Sequence, residues 1–485
     1  MSEYISNVEA PFGLNHGPQI TGNYAPIATE QTLQDLPVEG KIPQDLSGVY
    51  LRNGPNPRFE PKGSHHYFDG DGMIHSACFS NGKVVYRNRW IRTEGWLKND
   101  AAGEEVHWGV MNTVKDSRDK PMNDVANTDV IGHAGYAVAS WYLAGTPYIV
   151  DPISLSTVRA APEYLAGHGK GMSAHVKVDE RTGDLMYFDY FTEKPHMSYG
   201  VVNKAGELVH HVPIELPGDR LMHDMGVTTN YSILHDVPVY HDEDALRAGR
   251  HKIRFDSSLP IRFGVIPRFG KSDSIRWFEF SSCFLYHVVN SWEEGDEVVM
   301  VACRYMPAKK ADGSIDEERT AKMIATLQMD ARLWCYRMNL KTGATHEHCL
   351  NSEHNVEFPG LNSSYTGVRS QFAYLVDHDP RMLRWTGLRK MNTLTGESEA
   401  DWSDGPENCW YSEPWFAPKD NAKAEDDGYV IIFCWNDANK TQQLQVFDAQ
   451  NIGSGPVARI TLPERVPPGF HACWMKPSQI ATWPE

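Results

Sequence analysis

"GKVVYRNRWIRTE" spans residues 82–94 and follows Asn81 directly. Apolar and polar residues alternate along it, which is the period of a strand with one buried face. The Asn81-Gly82 pair at its start is a hairpin turn signal, because both residues tolerate positive φ. Stretches of the same kind recur along the chain: "TGDLMYFDYF" (182–191), "DEVVMVACRY" (296–305), "SQFAYLVDHD" (370–379), "GYVIIFCWND" (428–437) and "QQLQVFDAQ" (442–450). Each is rich in β-branched and aromatic residues and closes on Gly, Asp, Asn or Pro.

Helical periodicity is scarce. "DEDALRAG" (242–249) predicts one or two turns, and "SIDEERTAKMIATLQM" (314–329) predicts the longest helix, with its acids placed early. Strands at regular spacing over more than 400 residues are too many for a sandwich. A TIM barrel would need a helix after every strand. A β-propeller fits best. No fixed-period repeat supports it, and no Pro/Gly/Ser-rich linker divides the chain. The expected organisation is an N-terminal arm over residues 1–30 and a single propeller domain over 31–485.

The chain has 485 residues, 41% hydrophobic and 22% charged, with a formal charge of -17. That balance is globular, and its sign argues against a nucleic-acid partner. The eight Cys form no CxxC pair, which predicts reduced, mostly buried thiols and a cytoplasmic protein. The segment "MSEYISNVEAPFG" has no basic region followed by an apolar one, and no window nears 18 apolar residues. The G-x-S-x-G, P-loop and Rossmann patterns are missing, and "DGDG" (69–72) lacks the other ligands of a calcium loop.

Two groups of His stand out among the 21. The tandem His65-His66 lies close to Asp69 and Asp71, so it reads either as a metal site or as a turn held by polar groups. The others are far apart. His175 lies in "GMSAHVKVDERTGDL", read as a strand end before a turn. His223 lies in "DRLMHDMG", His287 in "CFLYHVVNSWEEGDE" and His471 in "PPGFHACW". Apolar neighbours such as Met222, Tyr286, Val288 and Phe470 imply burial, and a buried imidazole needs partners on both nitrogens. Each could be a core His bonded to backbone. Their spacing matches no local zinc pattern, but inner propeller strands can bring distant residues to one axis.

Several motifs occur in one order: "GNYAPI" (22–27), "GKIPQDLSGVYLRNGPNPRF" (40–59), "HHYFDGDGMIH" (65–75), "ANTDVIGHAG" (126–135), "MSAHVKVD", "LMHDMGVTTNY", "YHVVNSWEEGD", "EFPGLN" (357–362), "SEPWFAPK" (412–419), "EDDGYV" and "GFHACW". Together they resemble the carotenoid cleavage oxygenase family, which includes lignostilbene dioxygenases and isoeugenol monooxygenase. The resemblance implies an all-β fold, a seven-bladed β-propeller with a cap of loops and helices over the iron-bearing face. It implies one Fe(II) per chain held by His175, His223, His287 and His471, with O2 as cosubstrate. It also implies that "HHYFDGDGMIH" is structural and that Glu357 and Glu413 accept hydrogen bonds from the iron-binding imidazoles.

The expected activity is oxygenative cleavage of a C=C bond in a hydrophobic, conjugated alkene to give two carbonyl products. The other expectations are an isomerase or a non-cleaving binding scaffold on the same fold. A third Glu in this family stands in a segment like "ALWEGGLPY". This chain reads "ASWYLAGTPY" (139–148), with Tyr142 or Leu143 in its place, which predicts a more labile iron site. The stilbene- and isoeugenol-type members hold a phenol with Lys and Tyr. Here Trp141 stands near the Lys position and Val110 or Met111 near the Tyr position, while Phe59 is kept. Phe59, Trp141 and Tyr142 are therefore the expected pocket residues. An apocarotenoid or other polyene is the expected substrate, with stilbenoid or phenylpropenoid cleavage as the alternative. Carotenoid-cleaving members draw substrate from membranes, so a peripheral membrane contact is an expectation too.

Overall fold

The Asn81-Gly82 turn does join two strands. Gly72–Ser80 pairs with Lys83–Trp90 in antiparallel register, Ser80 opposite Lys83. In Lys83–Trp90 every second side chain, Val84, Tyr86, Asn88 and Trp90, is buried. Burying one Val- or Phe-sized side chain contributes roughly 1.5–3 kcal/mol, so a one-residue slip would expose the whole set.

The computed structural model describes residues 16–484, except 111, 113–122, 144, 166–170 and 329. Met111 and the first half of the expected arm lie outside these residues. Seven antiparallel sheets of four to six strands make a seven-bladed β-propeller. We number the blades by their axial strands. These begin with Ala472–Met475 (blade 1), Asp129–His133 (2), Lys177–Asp179 (3), Gly226–Val227 (4), Phe284–Glu294 (5), Val356–Gly360 (6) and the pair Cys409–Tyr411 and Trp415–Pro418 (7). Axial strands pack against each other between blades 7 and 1, 1 and 2, 2 and 3, 4 and 5, and 5 and 6. Blade position explains the burial patterns. Axial Phe284–Glu294 is buried over nine consecutive residues, whereas peripheral Thr345–Asn351 is mostly exposed.

The ring is closed twice. Ala472–Met475, near the C-terminus, pairs with Gly48–Pro55, with Val49 opposite Met475. Val38–Gly40 pairs with Ala458–Leu462 of blade 7. Residues 16–30 run over this seam: Tyr24 donates its hydroxyl to the Leu383 carbonyl at 2.6 Å, and Arg465 donates to the Asn23 carbonyl at 2.6 Å.

The cap includes the hairpin of Val239–His241 and Ile253–Phe255 and the helix Glu317–Ala325 packed on it. That helix is shorter than 314–329. It starts where Asp316 accepts the Arg319 N–H, and it buries Thr320, Ala321 and Ile324. The second predicted helix is Glu243–Arg247, capped by Asp242. A third helix, Glu94–Ala102, was not expected. It begins at the end of the quoted stretch, where the Thr93 hydroxyl caps the Trp96 N–H, and it ends at Gly103 with φ 71°. Eight free Cys include six buried ones.

Candidate metal centre and its cavity

The axial strands decide which residues meet. His471 immediately precedes the axial strand of blade 1. His175 and His223 lie just before those of blades 3 and 4, and His287 lies within that of blade 5. His175 is thus at a strand entry, not at the strand end read from the sequence. All four are buried, and one nitrogen from each lies within 4.8 Å of the others. The rings of His175 and His223 have centroids 4.4 Å apart, as do those of His175 and His471.

Each imidazole is fixed from behind in a different way. His287 donates from Nδ1 to Glu357 Oε2 at 2.5 Å, from blade 6. His471 donates from Nδ1 to Glu413 Oε1 at 3.0 Å, and Glu413 also accepts the Ala472 N–H. His175 is held through its backbone: its N–H donates to Asp129 Oδ2 of blade 2 at 2.9 Å. That bond holds His175 at φ 66°, a conformation costing of order 1–3 kcal/mol outside glycine. Asp129 escaped the sequence reading; an acid inside the apolar strand "NTDVIG" was the available signal.

His223 differs. Among the described residues no carboxylate hydrogen-bonds its ring, and its backbone has no tether like that of His175 to Asp129. The Tyr142 ring lies 4.3 Å from it and the Tyr286 ring 4.8 Å. Its Nδ1 is buried without a hydrogen-bond partner, as are Nε2 of His175 and Nε2 of His287. Orphaned buried nitrogens are costly, and each of these rings brings one nitrogen into the 4.8 Å cluster. Burial, followed by repulsion from neighbouring imidazoles, lowers the pKa of His175 well below the ordinary value; burial does the same for His223 and His287. These rings are neutral at pH 7, as metal ligands must be. Burial also pulls His471 down, but the Glu413 carboxylate, with Asp129 and Asp224, brings the net shift upward. Burial raises Glu357 and Glu413. An all-imidazole set with buried carboxylates behind it fits a first-row transition metal.

On the cap side a cavity of about 960 Å³ reaches Tyr142 and Tyr286, the two rings that touch His223. Its buried wall is apolar and aromatic, with Phe68, Leu221, Val239, Phe255, Phe284 and Ile324. Tyr190 and Tyr286 commit their hydroxyls to the carbonyls of Tyr142 and Ile324. The rim is charged, with exposed Lys252, Arg254, Glu317, Glu318 and Lys322. Of the expected pocket residues, Tyr142 lines this cavity, and Val110 does too. Phe59 and Trp141 are not among its lining residues. Trp141 instead donates its indole N–H to the Phe68 carbonyl at 3.0 Å, and Phe59 lies beside the Arg58 guanidinium. The exposed large apolar residues among those described, such as Leu97, Val209 and Phe269, do not line the cavity either. No helix among the described residues is long and apolar enough to cross a membrane.

The tandem histidines stand apart from the axial four, although His66 lines the cavity. His66 donates from Nε2 to the Ala325 carbonyl at 2.9 Å, and its Nδ1 accepts the Phe68 N–H at 3.1 Å. Asp69 accepts the N–H groups of His66 and Val110, and Asp71 accepts that of Arg58. Among the described residues, the four axial His are the one group placed to share a metal ion.

Comparison with known proteins agrees with this geometry. Residues 24–476 match the family model described as Retinal pigment epithelial membrane protein. The chain is 33% identical to the carotenoid 9,10(9',10')-cleavage dioxygenase of Crocus sativus, over 95% of this chain and 89% of that one. It is 29% identical to the isoeugenol monooxygenase of Pseudomonas nitroreducens, over 94% and 98%. The lignostilbene dioxygenase structure of Pseudomonas brassicacearum superposes with a TM-score of 0.84 at 26% identity, covering 96% of this chain and all of that one. A seven-bladed propeller, four imidazoles on its axis and a family match over nearly its whole length show that this chain belongs to the carotenoid oxygenase family and is an oxygenase.

Proposed function

We propose that this chain is a non-haem Fe(II) oxygenase that adds O2 across a C=C bond of a conjugated polyene, with an apocarotenoid as the substrate. One alkene and one O2 give two carbonyl products, so no added reductant is needed. The observation that carries the reading is the ring of four buried imidazoles with uncommitted nitrogens beside an aromatic cavity. His175, His223, His287 and His471 would hold the iron. When bound, the iron supplies O2 activation, and four neutral ligands leave it its full 2+ charge.

The chain's own residues do the rest. Tyr142 and Tyr286 separate the imidazoles from the cavity and offer flat faces to a planar polyene. The apolar wall excludes water and limits the poses in which an alkene reaches the centre. The charged rim suits a substrate with one oxygenated end, as in an apocarotenoid, better than a hydrocarbon with two apolar ends. The lysines on the cavity, Lys252 and Lys322, are exposed at the rim. Among the described residues a phenol therefore finds no buried lysine on the lining, which favours the polyene over the stilbenoid reading.

The test is product analysis by mass spectrometry. Iron-loaded protein is mixed with apocarotenals, hydroxystilbenes and isoeugenol, in air and anaerobically. Oxygen-dependent aldehydes from a polyene are expected. Aromatic aldehydes from the stilbenes or isoeugenol would move the assignment to that substrate class. An iron-loaded protein that cleaves nothing would overturn the oxygenase reading of this substrate panel.

A further inference from the structure

Among the described residues, His175 and His223 both lack a carboxylate on the ring, and whereas the His175 backbone is held by Asp129, the acid beside His223 is its chain neighbour Asp224. Its side chain is 1% exposed. Oδ1 accepts the Met225 N–H at 2.7 Å and lies 2.7 Å from Lys177 Nζ. Oδ2 accepts the Val288 N–H at 2.7 Å. Lys177 lies two residues after His175, and Val288 directly follows His287. One carboxylate therefore joins the chain beside three of the four imidazoles, across blades 3, 4 and 5. It lines a smaller cavity of about 120 Å³ on the axis, together with Lys177, His175, His287 and His471 and without Tyr142 or Tyr286. It shares no lining residue with the alkene cavity.

We propose that Asp224 and Lys177 form a brace that sets the spacing of His175, His223 and His287, and that Asp224 is thereby a positioning residue for the metal. The proposal rests on reading the four imidazoles as a metal centre. The physical argument has two parts. A buried carboxylate with one cation and two backbone donors is satisfied on both oxygens, so each partner is held in a narrow geometry. In addition, the other three imidazole segments each have a carboxylate of their own, Asp129, Glu357 or Glu413. Where Tyr142 faces the His223 ring, the tether next to that ligand in the chain is Asp224. A metal ion is bound tightly only if its ligands are already spaced for it.

The experiment uses Co(II) as a spectroscopic probe in full-length protein. Asp224→Asn keeps the shape and one acceptor but removes the charge. Lys177→Met removes the cation. The double variant removes both charges and so avoids leaving either one buried alone. The expected result is that cobalt transfers to a chelator at least tenfold faster from Asp224→Asn, with altered d–d absorption bands. The double variant recovers melting temperature but not the slow release. Wild-type release and wild-type bands in Asp224→Asn would overturn the brace, whatever happens to its melting temperature. If the variants do not fold, the wild type still decides. Amide exchange at Met225 and Val288 must slow when cobalt is added, because coupling between two sites is reciprocal; unchanged exchange would overturn the proposal. A wild type that takes up no cobalt would fail differently, by removing the metal reading on which the brace stands.

Discussion

His65 and His66 are adjacent in sequence and share their segment with two aspartates, yet they hold no common ligand point. His175, His223, His287 and His471 are scattered over some three hundred residues and converge within 4.8 Å. The difference lies in what occupies the nitrogens. Both nitrogens of His66 are used by backbone groups of residues 68 and 325. In the axial set, nitrogens of His175, His223 and His287 are buried and unused. A dense local motif here builds a rigid turn, and the sparse one builds a site.

The largest expected effect breaks the axial set. His287→Ala should abolish stoichiometric iron uptake, measured by metal analysis of the folded fraction after gel filtration, and should lower the melting temperature because it leaves Glu357 buried without its partner. Equal iron in variant and wild type would mean that His287 is not a ligand.

The next effect should fall on stability and spare the metal. Burial raises the Asp71 carboxyl to about 7, and Glu105 adds to the shift. Its Oδ1 is buried without a partner. An acid whose pKa is higher folded than unfolded stabilises the protein below the unfolded value and loses that stabilisation as pH rises through the folded one. From about pH 4 to about pH 7 the native state therefore holds a proton that the unfolded chain has released, and Asp71 becomes a growing liability. Asp71→Asn should gain stability relative to wild type across that window, reaching a few kcal/mol at neutral pH at about 1.4 kcal/mol per pKa unit. His65 and His66, lowered by burial to about 3 and about 4, act in the opposite direction but are common to both proteins, so they cancel in the difference. Chemical denaturation at pH 5 and pH 7.5 measures it; a constant difference would refute it. Iron content should not change.

The smallest effect sharpens the contrast within the site itself. His287 and His471 have ring carboxylates and His223 has Tyr142. Carboxylates behind ligating His typically contribute 10–100-fold in metal affinity. Tyr142→Glu should slow iron release, by about tenfold or less because burying the new acid is itself costly. Faster release, read with a chelator and a chromogenic iron assay, would show that the Tyr142 ring supports His223 better than a carboxylate can.

Much of the fold was legible because peripheral strands are half-buried. The alternation in Lys83–Trp90 and its Asn-Gly turn specify a strand, a face and a hairpin together. Axial strands were less legible, since burial on both sides erases alternation. The helix Glu94–Ala102 was missed because the apolar alternation of residues 84–90 runs straight up to its Thr93 cap. Phe59 and Trp141 were expected at the pocket from their place in the motifs, but an aromatic residue in a loop carries no signal of the direction it faces. Asp129 and Asp224 were legible only as acids among apolar neighbours, with nothing local to name their partners.

The sequence by itself determined that strands dominate, where the turns fall, which four histidines lie among apolar residues, and, through ordered motifs, the family. Tertiary structure alone decided that those histidines meet, that His223 faces Tyr142, and that Asp224 reaches two neighbouring blades. The reason is physical. Strand and turn preferences are set within a few residues, whereas the imidazole spacing is set by closure of a seven-membered ring, in which Val49 pairs with Met475 across almost the whole chain.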